Sequence, residues 1–119
     1  MKELDLLKEA QRLWNDGDFY SAHEVLEDIW RLLPKEEKPK RNCYQGLIRL
    51  AIGYNHYLCG RRESSLKVLK MAYEQLIGCE DILECIGVKS LLKKLKLNIE
   101  SLEKGEYIEG FPKLDISTF

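Results

Sequence analysis

The feature that most constrains this chain is an internal repeat. Sliding the sequence by 43 residues superposes Leu4, Leu7, Trp14, Gly17, Ser21, Val25, Leu26 and Leu33 on Leu47, Leu50, Tyr57, Gly60, Ser64, Val68, Leu69 and Leu76. Within each copy the apolar positions recur at the spacing of one helix face, and the glycine falls between two such runs. Each copy is therefore predicted to be an antiparallel helical hairpin. The first pairs helices over Leu4–Trp14 and Phe19–Leu33, the second over Asn42–Leu58 and Glu63–Ile77, and a charged loop from Pro34 to Arg41 joins them. Gly78–Gly87 reads either as a helical turn or as a connector. A fifth helix is predicted over Val88–Lys104, with Leu91, Leu95, Ile99 and Leu102 at core spacing.

The order bulky aromatic, glycine, small residue (Ala22 or Ser65) resembles the tetratricopeptide hairpin. Two copies fall short of a solenoid, so helix five is expected to cap the second hairpin. The tail beyond Gly105 carries Tyr107, Ile108, Phe111, Leu114 and Ile116. It is too apolar for a free linker and is expected to pack back along the bundle. The predicted architecture is an all-α, five-helix bundle of two tetratricopeptide-like hairpins plus a capping helix and packed tail, one domain over residues 1–119.

Charge narrows the choice of partners. A formal charge of −1 is spread over interspersed Lys and Glu, so no whole-chain field draws the protein to nucleic acid or to an anionic membrane. The start, Met1-Lys2-Glu3-Leu4-Asp5, is too acidic for a secretory leader, and no apolar run reaches membrane-spanning length. A cytoplasmic protein is expected. Cys43, Cys59, Cys79 and Cys85 lack the paired spacing of a structural zinc site and read as small core or surface thiols. The exception weighed is a Cys79–Cys85 disulfide across the short connection, which a thermophile cytosol tolerates; abundant Lys and Glu beside scarce Gln, Asn and Thr lean toward such a source.

Chemistry concentrates in Phe19–Trp30. On a helix, His23, Glu27 and Trp30 share one edge beside the apolar line, with Glu24 adjacent. The repeat aligns His23 with Leu66, so a histidine stands where the fold expects an apolar side chain; Glu24 and Glu27 align with Lys67 and Lys70. Helix three carries its own polar edge, Gln45, Arg49 and His56. Antiparallel packing is expected to set Trp30 near Gln45 and Gly46, with Gly46 making room for the indole or for a close helix approach, and Glu27 near Arg49.

Ala22-His23-Glu24-Val25-Leu26-Glu27-Asp28-Ile29-Trp30, followed by Gln45-Gly46-Leu47-Ile48 and Leu50-Ala51, resembles the domain of unknown function 309 family, small helical prokaryotic proteins. The resemblance covers about Leu13 to Leu76. It implies an intracellular helical domain of unassigned role, with His23, Glu24, Glu27, Trp30, Gln45 and Gly46 as the positions that carry over. Arg49 stands where the family pattern has glutamine.

Three readings follow from the residues. In one, His23 and Glu27 are satisfied by hydrogen bonds and by Arg49, locking the hairpins in register. In another, the pocket of His23, Glu24, Glu27, Trp30, Gln45, Gly46 and Arg49 binds a peptide or small anionic ligand. In the third, His23 and Glu27, with Glu24 or His56, hold a metal ion for hydrolysis, by analogy with zinc sites whose ligands sit one helical turn apart. No glycine-rich phosphate loop occurs and no serine or cysteine has a base beside it, so no cofactor is expected. The favoured function is a non-enzymatic interaction or scaffold domain with a protein or peptide partner, with a homodimer through helix five or the tail as a further expectation.

Overall fold

The computed structural model describes residues 2–117; Met1, on which part of the leader reading rests, and residues 118–119 at the end of the expected domain lie outside them. Five helices follow one another: α1 (Lys2–Asn15), α2 (Phe19–Leu32), α3 (Lys38–Leu58), α4 (Arg62–Leu76) and α5 (Val88–Glu103). Each packs on its neighbour in sequence, giving an elongated all-α bundle of 42 × 25 × 25 Å. Among the described residues, no helix is long and apolar enough to cross a membrane.

The repeat is reproduced down to its turn hydrogen bonds. Gly17 N donates to Trp14 O and Asp18 N to Leu13 O; at the offset of 43, Gly60 N donates to Tyr57 O and Arg61 N to His56 O. Gly17 and Gly60 both have a left-handed backbone, with φ of 87° and 82°. The equivalent small residues Ala22 and Ser65 are both fully buried.

α3 begins four residues earlier than its apolar pattern suggests. Lys38, Pro39 and Lys40 form its first turn, where proline's missing N–H has no helical partner to lose. Downstream, α3 is buried along most of its length, through Tyr44, Leu47, Leu50, Ala51 and Tyr54. Gly78–Gly87 holds no helix; Cys79, Leu83 and Ile86 anchor it to the core through buried side chains.

Two glycines on one face of α3 let α4 lie unusually close. A Cβ on Gly46 would fall 2.9 Å from Leu76 Cγ, and one on Gly53 would fall 2.7 Å from Leu69 Cδ2 and 3.4 Å from the Leu69 backbone nitrogen. Ser65 adds a buried bond, its Oγ donating to Gly53 O at 2.8 Å. Of the two expectations for Gly46, the close helix approach is the one met, and the helix is α4; the Trp30 indole does not fill the space.

The same register explains a disulfide between two cysteines that read from sequence as thiols. Three residues outward from Gly46 on α3 and three beyond Leu76 stand Cys43 and Cys79, both buried, with Cα atoms 5.9 Å apart and their sulfurs bonded. The Cys79–Cys85 pairing weighed from sequence is thus replaced: Cys85 is a half-buried free thiol and Cys59 an exposed one.

Three measurements check this seam. Gly53→Ala is expected to lower stability by about 1–2 kcal/mol in urea unfolding, because crowding of Leu69 exceeds the gain in helix propensity; a variant more stable than the parent contradicts the close approach. Breaking the disulfide releases a loop spanning a separation of 36 residues, so Cys43→Ser should lose about 2–4 kcal/mol of stability under oxidising conditions, whereas Cys85→Ser should not. Non-reducing peptide mapping should link Cys43 to Cys79.

Candidate functional site

The residues singled out from sequence separate into two surfaces. On α2, His23 is largely buried, its side chain 15% exposed. Its Nδ1 pairs with the carbonyl of Tyr20 one turn back, and its ring meets the Tyr20 ring edge-on with centroids 5.0 Å apart. His23 Nε2 lies 4.0 Å from Glu27 Oε1, and Arg31 Nη2 lies 3.8 Å from the same oxygen. Glu24 is exposed and, with Glu27, Asp28, Arg31 and Glu9, lines a shallow charged surface between α1 and α2. The hydrogen bonds and ion pairs of His23 and Glu27 stay within α2. The expected pairing of Glu27 with Arg49 does not form.

Trp30 finds a different partner from the one expected. The Arg41 guanidinium sits 4.1 Å over the indole ring. Its Nη1 donates to both Trp30 O and Leu33 O at 2.9 Å. These carbonyls are at the C-terminal end of α2, where helical partners run out, so Arg41 caps the helix while covering its aromatic residue. Arg41 has no place in the motif read from sequence. An arginine following a tryptophan across a short charged loop was the available signal.

Gln45 and Arg49 face α4. Arg49 Nη1 donates to Gln75 Oε1 at 2.7 Å, and Gln75 Nε2 donates to Asn42 Oδ1 at 2.9 Å and to Gln45 Oε1 at 3.0 Å. These side chains line an open groove of about 680 Å³, completed by Lys70, Met71, Glu74 and Ile77. The reason is rotational. Gly46, Arg49 and Gly53 occupy one face of α3, and the glycines commit that face to α4, carrying Arg49 with them.

His56 accepts a hydrogen bond at Nδ1 from Arg61 Nε at the far end of α3. Among the described residues, no group of three or more His, Cys, Asp or Glu side chains is placed to hold a metal ion. The candidate ligands His23, Glu27 and His56 are thus not brought together, and no metal-dependent step is derived from them. Among the same residues, no buried side-chain nitrogen or oxygen lacks a hydrogen-bond partner. Burial raises the pKa of the Tyr44 and Tyr54 phenols well above the usual range, with the Glu3 carboxylate adding to the effect at Tyr44. Both serve as hydrogen-bond donors, to Glu3 Oε2 and Asn98 Oδ1 respectively.

A family model described as a domain of unknown function (DUF309) matches residues 7–68. An uncharacterized protein of Aquifex aeolicus (strain VF5) is 40% identical over an alignment covering 86% of this chain and 34% of its own length. The chain thus spans about a third of that relative. No solved structure matches the chain.

The side-chain assignments above separate two substitutions. Arg41→Ala removes two charge-assisted bonds and the cover on Trp30 and should lower stability by about 2 kcal/mol, little of which Arg41→Lys restores. His23→Ala removes a bond and contacts with Tyr20 and Glu27 that all lie within its own helix, and should lower stability by about 1 kcal/mol. Equal losses in thermal or urea unfolding would contradict this division.

Proposed function

The chain belongs to the DUF309 family, whose description assigns no activity, and we propose that the domain is a non-enzymatic interaction module that captures an acidic segment of a protein or peptide partner in the α3–α4 groove. The observation that carries this reading is the state of Arg49. One of its nitrogens donates to Gln75, yet among the described residues no carboxylate lies within 4.0 Å of its guanidinium. A guanidinium offers five N–H donors in a planar fork suited to a carboxylate. Lys70, the other cation of the groove, is already held 2.7 Å from Glu103 of α5.

The surroundings support the same reading. Asn42, Gln45 and Gln75 form a chain of amides whose groups can meet the backbone of an incoming segment. Met71 and Ile77, 44% and 58% exposed, give the rim apolar footing. The floor is fixed, because the close packing of α4 on Gly46 holds Gln45 and Gln75 within hydrogen-bond reach. His23, Glu24 and Glu27 stand outside this groove and are not contacts in the proposed complex.

The test is a titration of ¹⁵N-labelled protein with the capped peptide acetyl-Leu-Glu-Glu-Leu-amide. Shifts should centre on Gln45, Arg49 and Gln75, with affinity falling about tenfold or more in Arg49→Ala, the loss of one charge-assisted contact. His23→Ala should bind like the parent. Absence of shifts, or binding indifferent to Arg49→Ala, contradicts the reading.

A further inference from the structure

The Cys43–Cys79 disulfide stands at one end of the α3–α4 groove, among the residues that form it. Asn42 immediately precedes Cys43, and Gln75 and Ile77 lie just before Cys79; all three line the groove. Gly78, with φ of 87°, turns the chain after α4 so that Cys79 comes back against α3.

The sulfur pair bears on Gln75 from both helices. On the α3 side it holds the backbone next to Asn42, whose Oδ1 accepts from Gln75 Nε2 at 2.9 Å. On the α4 side the Cys79 sulfur lies 3.4 Å from the carbonyl oxygen of Gln75 itself. A disulfide sulfur carries no proton, so in the oxidised chain this is a contact without a hydrogen bond. As a thiol, Cys79 has that carbonyl as a ready acceptor. Cys79 N, the donor that a continued helix would bring to Gln75 O, goes instead to Leu76 O at 3.0 Å. Gln75 is in turn the residue that joins Asn42, Gln45 and Arg49 across the groove.

The seam beneath does not depend on the sulfurs. Leu76 against Gly46, Leu69 against Gly53 and the bond from Ser65 Oγ to Gly53 O all lie inward of the disulfide. Glu3, which accepts from both Lys40 and Tyr44, separately ties the start of α3 to α1. The dithiol chain therefore keeps its helices packed, and the freedom it gains is concentrated at the end of the groove where Asn42 meets Gln75.

We propose that the Cys43–Cys79 pair is a redox control on the α3–α4 groove: oxidation fixes the groove in its binding form, and the dithiol form relaxes it. This regulation rests on the reading of that groove given above. The covalent step is exchange with a disulfide oxidant. The Cys79 thiolate attacks one sulfur of the oxidant and displaces a first thiolate; the Cys43 thiolate then attacks Cys79 Sγ and displaces the second. The two protons lost by the cysteines go to the two thiolates displaced, and the oxidant takes up two electrons. Both cysteines are buried once joined, so the bond is shielded from thiols in solution. With the bond made, Asn42 and Gln75 are ordered before a ligand arrives; in the dithiol chain that ordering opposes binding.

The test compares full-length protein in two states, oxidised and refolded in a phosphine reductant. Titration of ¹⁵N-labelled protein with acetyl-Leu-Glu-Glu-Leu-amide should show an affinity about tenfold weaker in the dithiol form. Side-chain amide signals of Asn42, Gln45 and Gln75 should differ between the states before peptide is added. Cys85→Ser should keep the full redox response, and the Cys43→Ser/Cys79→Ser double variant should behave as the dithiol form with or without reductant. Equal affinity in the two states overturns the proposal and leaves the groove reading standing. Redox-dependent amide signals with no peptide bound in either state support the control and refute the acidic segment as its ligand. A dithiol chain that circular dichroism shows to be unfolded overturns the proposal, because the bond would then serve the fold alone.

Discussion

The close approach of α4 to the backbone of α3 at Gly46 and Gly53 is the constraint on which the rest of the molecule depends. Leu76 and Leu69 lie where side chains on α3 would otherwise stand, and this fixes both the separation and the rotation of the central helix. Once that face of α3 is committed, Cys43 must meet Cys79 and Arg49 must meet Gln75. The rest of α3 is left to α2, to Asn98 of α5 through the Tyr54 hydroxyl, and to the tail through the Tyr54 ring and Tyr57. A glycine in mid-helix carries a propensity penalty of about 1 kcal/mol; here two are offset by packing that no side-chain-bearing residue permits.

From this frame the polar motif residues acquire separate tasks. His23 and Glu27 belong to the surface of α2 and look inward only to their own helix. Trp30 is covered by Arg41, which also closes the end of α2. Gln45 and Arg49 belong to a chain of amides and a guanidinium that spans α3 and α4. Residues that are neighbours along one helical edge in the sequence thus serve two surfaces, and in the second the Arg49 guanidinium meets, among the described residues, no carboxylate. Hydrogen bonding satisfies the buried groups of both, consistent with side chains that position helices and leave binding to the rims.

Much of the fold was legible because its information is local. Apolar spacing marks each helix within a few residues, and the offset of 43 carries over even to the turn bonds at Gly17 and Gly60. What failed was rotation. Gln45 and Arg49 lie on an edge of α3 that could face α2 or α4, and periodicity does not choose between them; the second glycine, seven residues after Gly46, was the sign that it faces α4. The Cys43–Cys79 bond was hidden for the same reason: the four cysteines read as thiols, with Cys85 the nearest candidate for Cys79, and Cys79 comes into register with Cys43 only across the seam. In the tail, inward Pro112, Leu114 and Ile116 alternate with exposed Lys113 and Asp115, a period-two signal of extended backbone that apolar content alone conceals.

α3 is thus tied to α4 through its glycines and, on a neighbouring part of its surface, to the tail through Tyr54 and Tyr57. Both require α3 to be the element that opens last. Residue-resolved native-state hydrogen exchange tests this most directly. Backbone amides of Leu47–Tyr54 in α3 and Leu69–Leu76 in α4 are expected to exchange only through global unfolding, with one common free energy, while those of Ile108 and Leu114 exchange through a smaller opening that leaves α3 protected. Exchange of the α3 amides by local opening, at a lower free energy than those of α1 or the tail, would contradict the account.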